Sequence, residues 1–365
     1  MKYNFENIKI RLADINDNQQ IIELVKRYPT SSSLSYVVDR EPNYFKLCEL
    51  QGYDYKVLIA EANNKVLGSL VISFNNVYLE HKVQNIAYTC DLRVEPFIRR
   101  TGIADELMKG GFKIINQVLG KDFNVFTSVL KDNLAGLKKN QNLLRDGIAN
   151  MQEVALLKSY FLFPLFTKKL KTNKYNIRYA CQEDLNDMFD LWKEINSKKN
   201  LAQYFDINSF KNWVNNTEGL GLNNFLVAEK NNKIIGFMGL WNQSKIRKII
   251  IHNQNTQIRL FKNFWNFGAK LINIPKFPKA GQELNFYSIT NLCIKDSECF
   301  EQLLYNAFKH IKINNSMFLA LALDIRDELN EKLKYFIAST TELYLLSNYQ
   351  FKDNNNLFHI EISLG

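Results

Sequence analysis

The chain has 365 residues with 46% hydrophobic, 13% aromatic and 23% charged side chains. That composition is globular and excludes collagen, coiled coil and intrinsic disorder, and the length suits two domains better than one core. Lys and Arg exceed Asp and Glu by ten, which favours anionic ligands, although net charge alone does not choose among them. The five cysteines are scattered and never spaced C-x-x-C, the pattern of reduced, mostly buried thiols, so neither a disulfide scaffold nor a zinc site is expected. No apolar run approaches the ~20 residues of a membrane-spanning helix, and a cytoplasmic protein without a membrane partner is expected.

In chain order, Ile10–Ala13 reads as a strand, and Gln20–Lys26 as a helix with Ile21, Leu24 and Val25 on one face. Val57–Ser73 (VLIAEANNKVLGSLVIS) then has two apolar runs around an Asn-Asn-Lys turn, a β-hairpin pattern. Tyr88–Glu95 is a strand that Pro96 stops, a helix runs from about Ile103 to Asn116, and Val125–Leu130 is a further strand.

The same order returns in the second half. Phe225–Trp241 (FLVAEKNNKIIGFMGLW) aligns with the hairpin at an offset of 168, Ile177–Ala180 with the first strand at 167, and Ser288–Lys295 with Tyr88–Glu95 at 200. Strands alternating with helices predict an α/β (α+β) fold, each unit a mixed central sheet flanked by helices. The expected limits are an N-terminal domain over 1–166, a linker over 167–174 and a C-terminal domain over 175–365. The most apolar run, Tyr160–Phe166, reads as a buried strand or an interdomain seam rather than an anchor.

The informative stretch is Asp91–Ala104 (DLRVEPFIRRTGIA). A strand ends at Val94, and an Arg-x-x-Gly-x-Ala turn opens a helix whose free N–H groups and positive dipole end form an anion site. Arg99 and Arg100 add charge, and Gly102 permits close backbone approach. A pyrophosphate suits this geometry. Set in this order of elements, Val-x-Pro-x-x-Arg-x-x-Gly-x-Ala resembles the acetyl-CoA loop of the GNAT superfamily of acyl-CoA-dependent N-acyltransferases.

The resemblance implies two tandem GNAT-like domains and an N-acetyltransferase that uses acetyl-CoA as acyl donor and passes the acetyl group by direct attack of a primary amine. The backbone of Leu92, Arg93 and Val94 would pair with the pantetheine arm, Arg99, Arg100, Thr101, Gly102, Ile103 and Ala104 would hold the pyrophosphate, and Asn133 would touch the cofactor arm. Such chemistry needs a base, an oxyanion donor and an acid. Asp91 and Glu95 are the candidate bases, either of which also reads as a solvated carboxylate or a partner of Arg93. Where many members carry a Tyr seven residues after that Asn, this chain has Asn140, which keeps open a non-catalytic acyl-CoA-binding regulatory or interaction protein.

In the second copy, Lys295–Phe300 (KDSECF) replaces the loop without Gly or Arg and with two acids, so no CoA is expected there. The acceptor is expected to be a small-molecule or peptide amine, chosen by Tyr28–Tyr55 and parts of the second half. Gly219-Leu220-Gly221 reads as a turn, and the isolated histidines give no metal spacing. Asn253–Ile274 interleaves basic and aromatic residues; packing of an amphipathic helix is the favoured reading, and no nucleic-acid partner is expected.

Overall fold

The computed structural model describes residues 8–29, 34–166, 174–254, 256–272, 274–353 and 355–365; the expected linker lies outside them except for Lys174. The first half runs β1 (Lys9–Leu12), α1 (Asn18–Lys26), β2 (Leu34–Asp39), α2 (Phe45–Leu50), β3 (Asp54–Ala62), β4 (Lys65–Leu79), β5 (Lys82–Val94), α3 (Ile103–Leu119), β6 (Val125–Leu130), α4 (Leu134–Arg145) and β7 (Gln152–Phe166). The second runs β8 (Asn176–Tyr179), α5 (Leu185–Asn196), α6 (Ile207–Asn216), β9 (Phe225–Lys230), β10 (Lys233–Trp241), β11 (Lys248–Gln254), α7 (Thr256–Ile272), β12 (Tyr287–Ile294), α8 (Ser297–Ile313), β13 (Leu319–Asp324), α9 (Leu329–Leu333) and β14 (Phe336–Ser347).

These strands form one twelve-stranded mixed sheet in the order β1-β3-β4-β5-β6-β14-β7-β13-β12-β10-β9-β8. β5–β6 and β12–β13 are its parallel pairs. The two halves exchange a strand at the seam: β14 lies between β6 and β7, and β7 lies between β14 and β13. The apolar run Tyr160–Phe166 is therefore a central strand, with Leu162 and Tyr160 buried beneath α8. A separate ribbon pairs β2 with β11, so a segment of each half contributes one strand.

Local chemistry explains why the halves match. Asn63 and Asn64 turn the first hairpin with φ of 52° and 59°, and Asn231 and Asn232 turn the second with 53° and 60°, the left-handed geometry that a two-residue turn requires and Asn tolerates. Arg11 bridges Asp17 and Glu61; Arg178 bridges Asp184 and Glu229 in the equivalent place.

α3 buries Leu107, Met108, Phe112 and Ile115 against Leu70 and Ile72 of β4, at about 1.5–3 kcal/mol for each large side chain fully buried. That packing fixes the direction in which the helix start points.

Candidate active site

The site is built around the end of β5. β5 and β6 pair only through Ala87–Val125 and Tyr88–Phe126, and the strands diverge beyond Tyr88. Thr127 Oγ1 still donates to the Thr89 carbonyl at 2.7 Å, but among the described residues Leu92–Val94 have no partner strand on that side and lie beside β4 alone. A strand edge of this kind can receive an extended polar arm.

Within this edge the register slips. Ser69 faces Arg93 and Val71 faces Cys90, so Asp91 and Leu92 share the place opposite Leu70. The bulge is set by φ of 51° at Asp91.

Beyond Val94 the chain turns through Glu95, a short 3₁₀ turn over Pro96–Ile98, Arg100 (φ 68°) and Gly102 (φ 92°) into α3. A Cβ at Gly102 would meet no atom within 4 Å, so the backbone there faces open space. The amides of Ile103 and Ala104 at the start of α3 have no intrahelical acceptor, whereas that of Asp105 donates to the Gly102 carbonyl at 2.9 Å, and the dipole adds positive potential.

Thr101 Oγ1 donates to the Ile98 carbonyl at 2.6 Å, fixing the loop, and Arg99 Nε donates to the Val94 carbonyl at 3.3 Å. A cleft of about 500 Å³ opens beside the turn, lined by Ile8, Ile10, Thr101, Gly102, Ile103 and Arg145 among others. The structure thus gathers Leu92 to Ala104 into one continuous edge, turn and helix start.

Asn133 is the N-cap of α4, its side-chain oxygen accepting the Gly136 amide at 3.0 Å. Asn140 is buried on α4 and donates to the Gly136 carbonyl at 3.0 Å.

The two carboxylates flanking the edge have different surroundings. Glu95 is almost fully enclosed, its side chain 1% exposed; it accepts the Tyr28 hydroxyl and lies 3.4 Å from Arg27. Burial, then this carboxylate, push the Tyr28 hydroxyl up to about 12.

Asp91 is 20% exposed and sits 2.9 Å from Arg40 and 3.6 Å from Arg93, with the Tyr44 hydroxyl at 3.3 Å. Burial alone would raise the Asp91 carboxyl, but Arg40, Arg93, Tyr44 and Arg247 outweigh it and hold the group below the usual carboxylate range. Burial and then Asp91 push the neighbouring Cys90 thiol well up, which makes it a protonated neighbour rather than a nucleophile.

Sequence reading missed Arg40, Tyr44 and Arg247. Arg40 and Tyr44 belong to the segment expected to choose the acceptor, and Arg247 to the second half; neither carries a motif. Gln51 Nε2 donates to the Leu364 carbonyl at 2.6 Å, and Arg247 donates to the Gly365 and Ser363 oxygens at 2.7 and 3.0 Å. Residues 358–365 therefore pass between the halves beside this cluster.

The second half repeats the frame with different contents. Phe237 faces Cys293 and Gly239 faces Thr290, so Asn291 and Leu292 form a bulge opposite Met238, with φ of 48° at Asn291. Here the bulge amide is occupied: Asn291 N donates to Glu361 Oε1 at 2.8 Å and Thr290 Oγ1 to Glu361 Oε2 at 2.9 Å. The first turns of α3 and α8 both carry acids, Asp105 and Glu106 in one and Glu298 in the other, but where α3 starts from Gly102, α8 starts from a carboxylate. Asp296 caps it, accepts the Tyr175 hydroxyl at 2.7 Å and lies 3.6 Å from Lys230, while Glu298 pairs with Lys174.

The first half thus presents an open strand edge that leads through a glycine turn to a helix start, a geometry that suits an extended ligand with an anionic end. Residues 18–136 match the acetyltransferase (GNAT) family. Among solved structures, Saccharomyces cerevisiae N-myristoyltransferase with bound myristoyl-CoA and inhibitors superposes with a TM-score of 0.63 at 13% identity, over 95% of this chain and 82% of that one.

A probable N-acyltransferase of unknown function from Enterococcus faecalis gives 0.53 at 9% identity, over 93% of this chain and 72% of that one. A GCN5-related N-acetyltransferase from Anabaena variabilis gives 0.53 at 10%, with the same coverages. These likenesses show the fold: a large mixed α/β sheet flanked by helices and similar to two-domain N-myristoyltransferase. No curated protein sequence matches the chain.

Proposed function

We propose that the chain is an acyl-CoA-dependent N-acyltransferase with its working site in the first of two tandem GNAT-like units, 1–166 and 175–365. The observation that carries this reading is the continuous run from the unpaired β5 edge to the open turn at Gly102. The backbone of Leu92, Arg93 and Val94 pairs with the pantetheine arm, and the residues Arg99 to Ala104 hold the pyrophosphate through amides, helix dipole and two guanidinium groups. Asn133 lies at the start of α4 and keeps its side-chain NH₂ for the arm.

The chemistry follows from the bulge. An amine attacks the thioester carbonyl, and the developing oxyanion falls to the amides at Asp91 and Leu92. The second half supports this assignment, because the equivalent amide at Asn291 receives a carboxylate oxygen at 2.8 Å. Asp91 takes the proton in preference to Glu95, since it is the more open of the two carboxylates. The thiolate is protonated by water, as no Tyr stands at position 140.

The donor is acetyl-CoA, the acyl group named by the family that matches the first half. A longer acyl chain is the second reading, favoured by the coverage of the N-myristoyltransferase fold. The acceptor is a primary amine of a small molecule or peptide.

Calorimetric titration with acetyl-CoA, CoA and myristoyl-CoA tests the proposal. One saturable site per chain is expected, and the tighter of the two acyl-CoAs names the donor. Binding of none of the three would overturn it. Saturable binding without transfer to any of a panel of amines would leave an acyl-CoA-binding regulatory protein.

A further inference from the structure

The charge of this chain is not spread evenly. Residues 230–282 contain ten Lys or Arg and no Asp or Glu, a surplus equal to the +10 of the whole sequence; the remaining residues are balanced. The segment spans β10, β11, α7 and the loop that follows.

The fold gathers the later part of it into one unit. The loop runs back along β11, where Gly281 N donates to the Ile251 carbonyl at 2.7 Å and Leu284 N to the Ile249 carbonyl at 2.8 Å. It is tied to α7 by Trp265 Nε1 on the Pro275 carbonyl at 2.8 Å and by Phe277 N on Asn266 Oδ1 at 2.7 Å.

α7 packs through Trp265 and Ala269, which join Ile251, Phe277 and Phe318 in the core. Leu260 and Phe267, seven residues apart and so on a common face, are 56% and 78% exposed. Lys276 and Lys279, on the loop tied to α7, and Lys245 and Lys248, just before β11 and at its start, are exposed, and among the described residues none of these four lysines is ion-paired. Asp39, opposite Lys248 across the ribbon, is held by Lys26 at 2.9 Å. Packing thus accounts for one face of α7 and leaves Leu260 and Phe267 exposed on the other, next to a loop that carries two free lysines.

We propose that α7 and the loop after it form a docking face for an anionic phospholipid bilayer, with Leu260 and Phe267 entering the headgroup boundary and the lysines meeting lipid phosphates. A stretch with ten basic residues and one exposed acid just past its end, Glu283, supplies the attraction to negative lipid, and two exposed apolar side chains on one helical face supply the insertion, which a purely electrostatic partner would not use. This replaces the expectation of no membrane partner, which rested on the absence of a spanning run. It stands independently of the acyl-transfer reading.

Flotation of the full chain with phosphatidylcholine vesicles, with and without about a third phosphatidylglycerol, tests the proposal. The chain should float with the anionic vesicles, stay behind with the neutral ones, and be released by raised salt. Lys276→Glu with Lys279→Glu should weaken partitioning by roughly tenfold or more. Leu260→Gln with Phe267→Gln should do so while leaving the melting temperature unchanged, because both side chains are already in water.

Absence of flotation, equal flotation with neutral vesicles, or indifference to both pairs of substitutions would overturn the proposal. So would a gel shift of single-stranded RNA by a chain that floats with no vesicle.

Discussion

Asp91 and Asn291 occupy the same bulge in the two halves, each with left-handed φ and each facing a single residue of the neighbouring strand. Their partners differ. Asn291 gives its amide to Glu361 and accepts the Trp213 indole N–H at 2.7 Å on its side chain, whereas Asp91 sends its side chain to Arg40. One bulge is closed by the chain's own residues 358–365; its counterpart has its side chain tied and its strand edge open.

That contrast makes Glu361 a structural residue. Glu361→Ala would leave the Asn291 amide and the Thr290 hydroxyl without their acceptor, at about 1–3 kcal/mol for each buried group orphaned. Urea denaturation should show the loss, and acyl-CoA affinity should change far less than stability. Equal stability of the variant would remove Glu361 from this role.

The Arg40–Asp91 pair is mostly buried, so cutting one side should cost more than the pair contributes. Arg40→Met should destabilise by about 3–5 kcal/mol at neutral pH. The sign with pH is specific. In the parent the depressed Asp91 carboxyl stabilises above the ordinary carboxylate pKa, and that stability is lost as pH falls through it. Without Arg40 the largest interaction opposing burial is gone and the group rises from its depressed position, so the deficit of the variant should shrink as pH falls toward about 4. A deficit that is constant with pH would show that Asp91 is not what Arg40 stabilises.

If Asp91 takes the amine's proton, its depressed pKa sets the acid limb of activity. The kcat/KM profile should then show no limb from this carboxylate between about pH 5 and 7, and any rise in that range belongs to the amine. Asp91→Asn should lower kcat by roughly a hundredfold or more. A variant with unchanged kcat would exclude Asp91 as the base.

Gly102 separates folding from binding. Because a Cβ there meets no protein atom, Gly102→Trp has only its left-handed φ to accommodate, about 1–2 kcal/mol, while its ring occupies the space before the helix start. Acyl-CoA titration should show binding lost in a chain that still melts cooperatively. Unchanged affinity would move the pyrophosphate elsewhere.

The duplicated hairpins, the Asp91–Ala104 run and the strand at Val125–Leu130 were legible because their signals are local: an Asn-Asn turn, a proline stop, a glycine before an amphipathic helix. The exchange of β7 and β14 was not, since the side-chain pattern of a strand reports which faces it buries and says nothing about which strand lies beside it. Arg40 escaped for a similar reason, its carboxylate partner being 51 residues away.

The repeated Arg–Asp pairs give a last prediction. Arg178, first through its hydrogen bond, holds Asp184 down to about 2, and Arg11 lowers Asp17 in the same way. Both folded values lie below the unfolded ones, so each pair stabilises above about pH 4 and loses that contribution as pH falls toward 2. For Asp184, whose side chain is 9% exposed, the contribution is on the order of 2 kcal/mol at neutral pH. Asp184→Asn should therefore destabilise at pH 7 and converge with the parent as pH drops below about 3. Urea midpoints at the two pH values would show it, and a gap of equal size at both would mean that packing around the site, rather than the charge on Asp184, sets its contribution.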